Sequence, residues 1–420
     1  MQPCLARLHF DGGDWVWSGI AGLALRYRLC MGNNMAHTTN RTYLDADSHI
    51  MELPDFLTSN TPQSQLALVP RVPVEGGARS SDGFELAMKT GAQPADKVKE
   101  MVALGDQLIS GPKGYFALGA FNKTERAQAL DQLGFHRQLV FSTFAAPMCF
   151  NAESIEARYA SAAAHNRGIA EFCGDDERLM GVAALPLDDS ALAVAEVEHI
   201  IELGLATAWV PHRPCGGRSP GHSDLDPIWA RLGEAGIPFV LHVGGQPLQI
   251  HPDWMNTGRP VPTDWLGGGE NVRSKDMTSL HHDAETFLGT MLLDGVFERH
   301  PNLRGAAVEL GAGWVPSFLR RLDWSSEIWR KSEPELQNLI RKPSEQLTTQ
   351  MAFTPFVYED VGALITESND ELYLFSSDYP HHEGGRNPLG RFERSLDGHT
   401  ATVLDRFYAD NFTRVFGSQT

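Results

Sequence analysis

Short, continuous apolar runs recur along the chain, separated by longer segments with helical spacing. The runs are Tyr43–Asp47, Arg137–Thr143, Met180–Leu185, Thr207–Pro211, Pro238–Val243, Gly305–Leu310, Met351–Pro355 and Leu372–Asp378. Most are apolar at successive positions instead of alternating, the pattern of strands covered on both faces. Between them, Ser154–Cys173 opens on a serine cap and Asp189–Leu203 on an aspartate cap. Asp224–Gly236 ends on a glycine, and Ala284–Pro301 stops at a proline. These are helix start and stop signals. Strands alternating with helices predict an α/β fold with a parallel sheet, and eight such runs predict a (β/α)8 TIM barrel. An open doubly wound sheet is the alternative, but no glycine-rich phosphate-binding motif follows an early strand.

Two segments break the alternation. Pro70–Ala120 is polar and glycine-rich and reads as an insertion after strand 1. Gln246–Leu280 carries Trp254, Trp265, several prolines and a glycine triplet, and follows strand 5. Long loops in compact domains serve mainly as lids or binding elements, so a lid-like loop is expected there. Residues 1–40 form a leader. Its apolar stretch Gly13–Cys30 is preceded by Asp11 and Asp14 where a secretory signal needs positive charge. A start upstream of the true one is the expectation, with residues 41–420 as a single barrel domain.

Charge narrows the partners. The chain has 35 basic and 53 acidic residues, a net charge of −18, and no basic block. Nucleic acid and anionic membranes reward clustered positive charge and are excluded as main partners. The 5 cysteines are scattered without a C-x-x-C pair, which fits a reducing cytoplasm. No apolar run reaches the roughly 18–20 residues needed to cross a bilayer. A small molecule is the expected partner.

The polar residues at strand ends carry the candidate chemistry. In "LDADSHIME", Asp45, Asp47 and His49 fall on alternate positions and share one strand face. His242 ends strand 5, Glu309 ends strand 6 and Asp378 ends strand 8. Each sits among apolar neighbours, where a charge or an imidazole needs a partner. Singly, a histidine here is a backbone-bonded core residue and a carboxylate is a helix cap. Jointly, at the functional end of a barrel, two histidines and two carboxylates suit a divalent ion such as Zn2+ or Mn2+.

The stretches "DADSHIMELPDF", "FVLHVGG", "VELGAGWVPSFLRRLD" and "FSSDYPHHEGG" resemble the amidohydrolase-related family typified by aminocarboxymuconate-semialdehyde decarboxylase and γ-resorcylate decarboxylase. The resemblance runs from Tyr43 to Phe416. It implies one divalent metal, Zn2+ first with Mn2+ or Fe2+ as alternatives, held by Asp47, His49, His242 and Asp378. The family's first-strand position is often His or Glu, and here it is Asp47. Many members carry a histidine at strand 6, and here it is Glu309. Crowding by Asp378 and Asp47 would make Glu309 a proton donor, or Glu309 holds a neighbouring His or Arg. Asp378, Glu309 and His242 are therefore the catalytic candidates.

Arg321 matches a family arginine for a substrate carboxylate, or pairs with Asp323 or another acid at the barrel end. His381 and His382 are expected on an exposed loop, His381 as a substrate contact. Trp254 and Trp265 close over an apolar substrate or pack the loop. The resemblance implies non-oxidative decarboxylation of an aromatic or cyclic acid. Hydrolysis of an ester, lactone or amide by metal-activated water is the alternative, with a metal-binding protein lacking turnover more distant. It also implies a homodimer or higher homo-oligomer.

Overall fold

Seven parallel strands follow one another around the sheet in chain order. They are β1 (Leu44–Ile50), β2 (Arg137–Ser142), β3 (Leu179–Ala184), β4 (Thr207–Trp209), β5 (Phe239–His242), β6 (Gly305–Val308) and β7 (Met351–Phe353). The computed structural model describes residues 41–73, 82–246, 250–260 and 272–417, so the leader lies outside the described residues. The eighth position, expected as a regular strand over Leu372–Asp378, holds a less regular segment. Phe353 N–H donates to Leu372 O (2.8 Å), and Leu374 N–H returns a bond to Phe353 O (2.9 Å). On its other side, Ala46 N–H donates to Phe375 O (3.0 Å) and Asp378 N–H to Asp47 O (2.9 Å). Bonds to both β7 and β1 close the curled sheet as a barrel. Asp378 takes φ +52°, which turns the chain out of the strand direction there.

β1 departs from the sequence reading in a way that matters for the site. It continues through His49 to Ile50, so His49 lies inside the strand and not beyond it. Its register against β2 slips: Asp45 faces Gln138 and Ser48 faces Val140. Three steps on β1 match two on β2, which is a bulge of one residue that re-aims the side chains around Asp47.

Strand interiors are apolar on both faces, as the unbroken runs require. Leu139, Val182, Val240, Val308 and Leu374 form one buried cluster with Ala46 and Phe412. Val140, Ala183, Leu241 and Ala307 join a second cluster with the helix residues Ile169, Val197, Ile228 and Leu288. The helix signals act as read. Ser154 Oγ accepts from Ala157 N–H, Asp189 Oδ1 accepts from Leu192 N–H, and Gly236 ends its helix at φ +66°. The expected single helix Ala284–Pro301 is divided, because Gly295 at φ +72° separates His282–Leu293 from Val296–Arg299.

The segment between β1 and β2 contains the helices Asp82–Thr90 and Ala95–Val102, within the insertion expected over Pro70–Ala120, and Lys123–Leu133 after it. It is bonded to the ends of the strands that carry candidate residues. Met51 N–H donates to Ala120 O, Gly114 N–H to Pro380 O, and Arg126 reaches the carbonyls of Gly119 and His49. The loop after β5 includes a short helix, Pro252–Met255. Part of that loop, with Trp265, lies outside the described residues. Among the described residues, no helix is long and apolar enough to cross a membrane.

Candidate metal centre

Five strand-end residues named from the sequence converge. Asp47 and His49 come from β1, His242 from β5, Glu309 from the turn after β6, and Asp378 from the closing segment. His49 Nε2 lies 3.2 Å from Asp47 Oδ1 and 3.6 Å from Asp378 Oδ1. His242 Nε2 lies 3.4 Å from Asp47 Oδ1 and 3.4 Å from Glu309 Oε2. Adjacent donors on one ion, with bonds of about 2.0–2.2 Å, stand about 3–3.5 Å apart, so this spacing suits a single cation.

Two further observations fit that ion. Neither ring nitrogen of His49 and neither carboxylate oxygen of Asp378 makes a hydrogen bond among the described residues, although all four atoms are buried. Buried polar atoms are nearly always bonded, and a cation here would take one nitrogen of His49 together with the Asp378 carboxylate. His242 is also fixed in the right tautomer. Its Nδ1 lies 2.8 Å from the Val243 carbonyl, which can only accept, so Nδ1 carries the proton and Nε2 presents its lone pair.

The electrostatics agree. Burial, aided by His381, pushes the His49 imidazole down to about 4, so it is neutral and able to ligate at neutral pH. Burial would raise the Asp47 carboxyl, but positive charge beside it, carried by His242 and His49 when these rings are protonated, outweighs burial and holds the group below the usual carboxylate range.

The side chains behind the donors hold them in place. Asp45 does not face the cluster; its carboxylate accepts from Ser377 N–H (2.7 Å), Ser377 Oγ (2.6 Å) and Gln138 Nε2 (2.7 Å). It therefore ties β1 to β2 and to the residue preceding Asp378. Burial raises its carboxyl to about 7 against the opposing pull of these bonds. Arg126, fully buried, donates to the backbone carbonyl of His49 and lies over the Tyr379 ring at 5.4 Å.

His381 is buried, contrary to the exposed-loop expectation, while His382 is exposed as expected. The His381 ring stacks on His49 with centroids 3.9 Å apart. Thr143 Oγ1 gives its proton to Ile50 O (2.6 Å), so it accepts from His381 Nε2–H (2.8 Å). His381 Nδ1 is thereby aimed at Asp378 Oδ1, 3.2 Å away.

Other expected contacts are not gathered here. Arg321, on the helix Val315–Trp329, is half-exposed and paired with Glu285. Trp254 is 76% exposed, and Trp265 is outside the described residues. Three neighbours escaped the sequence reading. His212, three residues past the end of β4, is buried beside His242 and pushed down to about 3 by burial; the strand-end rule would have found it. Thr143 carried no signal of its own. Neither did Lys113, whose buried Nζ makes no hydrogen bond among the described residues and lies 5.5 Å from the Tyr379 ring centre. Burial lowers that ammonium to about 8, against the pull of Asp378, Glu383 and Asp45.

Comparison with known proteins gives the following. The profile of the amidohydrolase family matches residues 118–418. The chain is 25% identical over 215 residues to decarboxylase orsB of Emericella nidulans, covering 50% of this chain and 61% of that protein. It is 26% identical over 274 residues to the γ-resorcylate decarboxylase of Polaromonas sp., covering 61% and 76%. The chain thus spans less than two thirds of the first of these relatives. The solved structure of an amidohydrolase from Mycobacterium avium subsp. paratuberculosis superimposes with a TM-score of 0.67 at 23% identity, covering 91% of this chain and 99% of that one.

Proposed function

The chain belongs to the amidohydrolase family, and from that premise we propose that it removes the carboxyl group of a small aromatic or cyclic acid, without an oxidant, at a divalent metal centre. The observation that carries this reading is the convergence of Asp47, His49, His242 and Glu309 in one cluster, joined through His49 to Asp378 and His381, with buried His49 and Asp378 atoms that make no hydrogen bond among the described residues. The two relatives are named as decarboxylases, which favours this chemistry over hydrolysis.

In this reading Asp47, His49, His242 and Asp378 hold the ion. When bound, it acts as a Lewis acid toward the substrate carboxylate and a neighbouring oxygen. The chain's own residues do the rest. A proton held between His381 Nδ1 and the Asp378 carboxylate is passed through Asp378 to the carbon that CO2 leaves: the carbon–carbon bond breaks, its electron pair stays on the substrate carbon, and the proton is added there. His381 Nδ1, 3.2 Å from Asp378 Oδ1, is placed to hold a proton against that carboxyl. Burial of the donors keeps bulk water from competing. His381 is the expected substrate contact that the fold brings to the centre. Trp254 and Arg321 receive no role here, since one is exposed and the other is engaged by Glu285.

The test pairs metal analysis with turnover. Purified protein should contain about one divalent ion per chain and release CO2 from members of a hydroxybenzoate panel. The His242→Ala variant should lose the metal, and Asp378→Asn should lose about two orders of magnitude or more in turnover. Full metal content in His242→Ala would overturn the site. Oxygen from labelled water entering the product would replace decarboxylation with hydrolysis.

A further inference from the structure

Among the described residues, Glu309 and Asp378 are the two non-glycine residues with positive φ, +53° and +52°. Such a backbone is strained for a residue with a side chain and persists where surrounding contacts impose it. Asp378 is one of the proposed ligands. Glu309 uses the same left-handed turn, at the end of β6, to bring its carboxylate to the same point. Its Oε2 lies 3.4 Å from His242 Nε2, and its donor atom falls within 4.8 Å of those of Asp47, His49 and His242.

The turn is held from two sides. Glu309 N–H donates to Thr354 Oγ1 (2.9 Å), just past β7. The residues that follow are fixed by Glu359, whose carboxylate accepts from Ala312 N–H (2.9 Å), Gly313 N–H (2.6 Å) and Phe356 N–H (2.7 Å). A carboxylate merely passing the cluster would not need a strained turn anchored in this way. Nor would the Asp47 and Glu309 carboxylates come within 4.8 Å of each other, with Asp378 joined to them through His49, unless positive charge offset their repulsion.

We infer that Glu309 is itself a ligand of the divalent ion and biases the centre toward an oxygen-preferring, high-coordination ion such as Mn2+ over Zn2+. This rests on the metal-centre reading above and gives Glu309 a role other than proton donor. With Glu309 the centre offers three carboxylates and two imidazoles. Five protein donors exceed the four that Zn2+ takes in closed sites, and the carboxylate majority suits Mn2+. Without Glu309 the set becomes two imidazoles and two carboxylates, which Zn2+ accepts well.

The experiment uses the full chain stripped of metal by chelator and refilled with Mn2+ or Zn2+ alone. Affinities are read by titration calorimetry and Mn2+ coordination by electron paramagnetic resonance. Glu309→Gln should weaken Mn2+ binding about tenfold or more, alter the Mn2+ spectrum and leave Zn2+ binding less affected. Glu309→His supplies a nitrogen donor and should keep Zn2+ while losing Mn2+ preference. Circular dichroism establishes that each variant is folded, and Glu309→His alone decides if Glu309→Gln is not. Wild-type Mn2+ affinity and an unchanged Mn2+ to Zn2+ ratio in a folded variant would overturn the assignment. If the wild-type chain binds neither ion, the metal-centre reading itself fails; if it binds and the variant matches it, only the role of Glu309 fails.

Discussion

Replacing Arg126 with methionine tests how the helix Lys123–Leu133 supports the centre. The guanidinium is fully buried, donates to Gly119 O at 2.8 Å and bonds the carbonyl of His49. Its contacts to Gln138 Oε1 (3.4 Å) and Ser48 Oγ (3.5 Å) are weaker. Methionine keeps apolar contact with Phe172 and Tyr379 but leaves two carbonyls without their donor, each costing about 1–3 kcal/mol. Removing a buried charge returns part of that, because its desolvation penalty is also removed. The net expectation is about 2–4 kcal/mol of lost stability, read by urea denaturation of metal-free protein at pH 7. Because one carbonyl belongs to His49, chelator competition should also show metal affinity weakened about tenfold. Arg126→Lys should recover part of both. A stability loss under about 1 kcal/mol with unchanged metal affinity would refute the reasoning.

Two further expectations follow from the packing. Gly119 sits at φ +71°, and a Cβ there would lie 2.3 Å from Arg126 Cα and 2.5 Å from Arg126 N. Gly119→Ala should therefore cost several kcal/mol, more than the ~1 kcal/mol typical of substitutions, and lower the thermal midpoint and soluble yield; a wild-type midpoint would refute it. His165 is fully buried, its Nε2 is 2.9 Å from Ser142 Oγ, and burial lowers its imidazole from 6.5 to about 4. The unfolded chain takes up that proton first. The neutral histidine thus contributes stability above pH 6.5 that is lost as pH falls toward 4, on the order of 3 kcal/mol. His165→Gln should flatten the dependence of urea stability on pH in that window, and equal slopes for both proteins would refute the assignment.

Much of this molecule is set by local sequence. Unbroken apolar runs make strands covered on both faces, and Ser154, Asp189 and Gly236 bound helices through their own side chains or backbone freedom. Strand-end position alone singled out Asp47, His49, His242, Glu309 and Asp378, because parallel strands deliver their ends to one rim. What the sequence could not determine depends on contacts between distant residues. The bulge in β1 exists only in its pairing with β2. His381 is buried because Thr143, 238 positions away, bonds its ring, where local polarity indicated an exposed loop. Lys113 and Arg126 reach the centre because backbone bonds such as Gly114 N–H to Pro380 O dock the segment between β1 and β2 on the barrel. Arg321 faces Glu285 on a neighbouring helix, a pairing set by helix packing that spacing in the chain does not encode. Element type follows from side chains near in sequence, whereas the direction a charged group faces follows from which remote partner the closed barrel brings within reach.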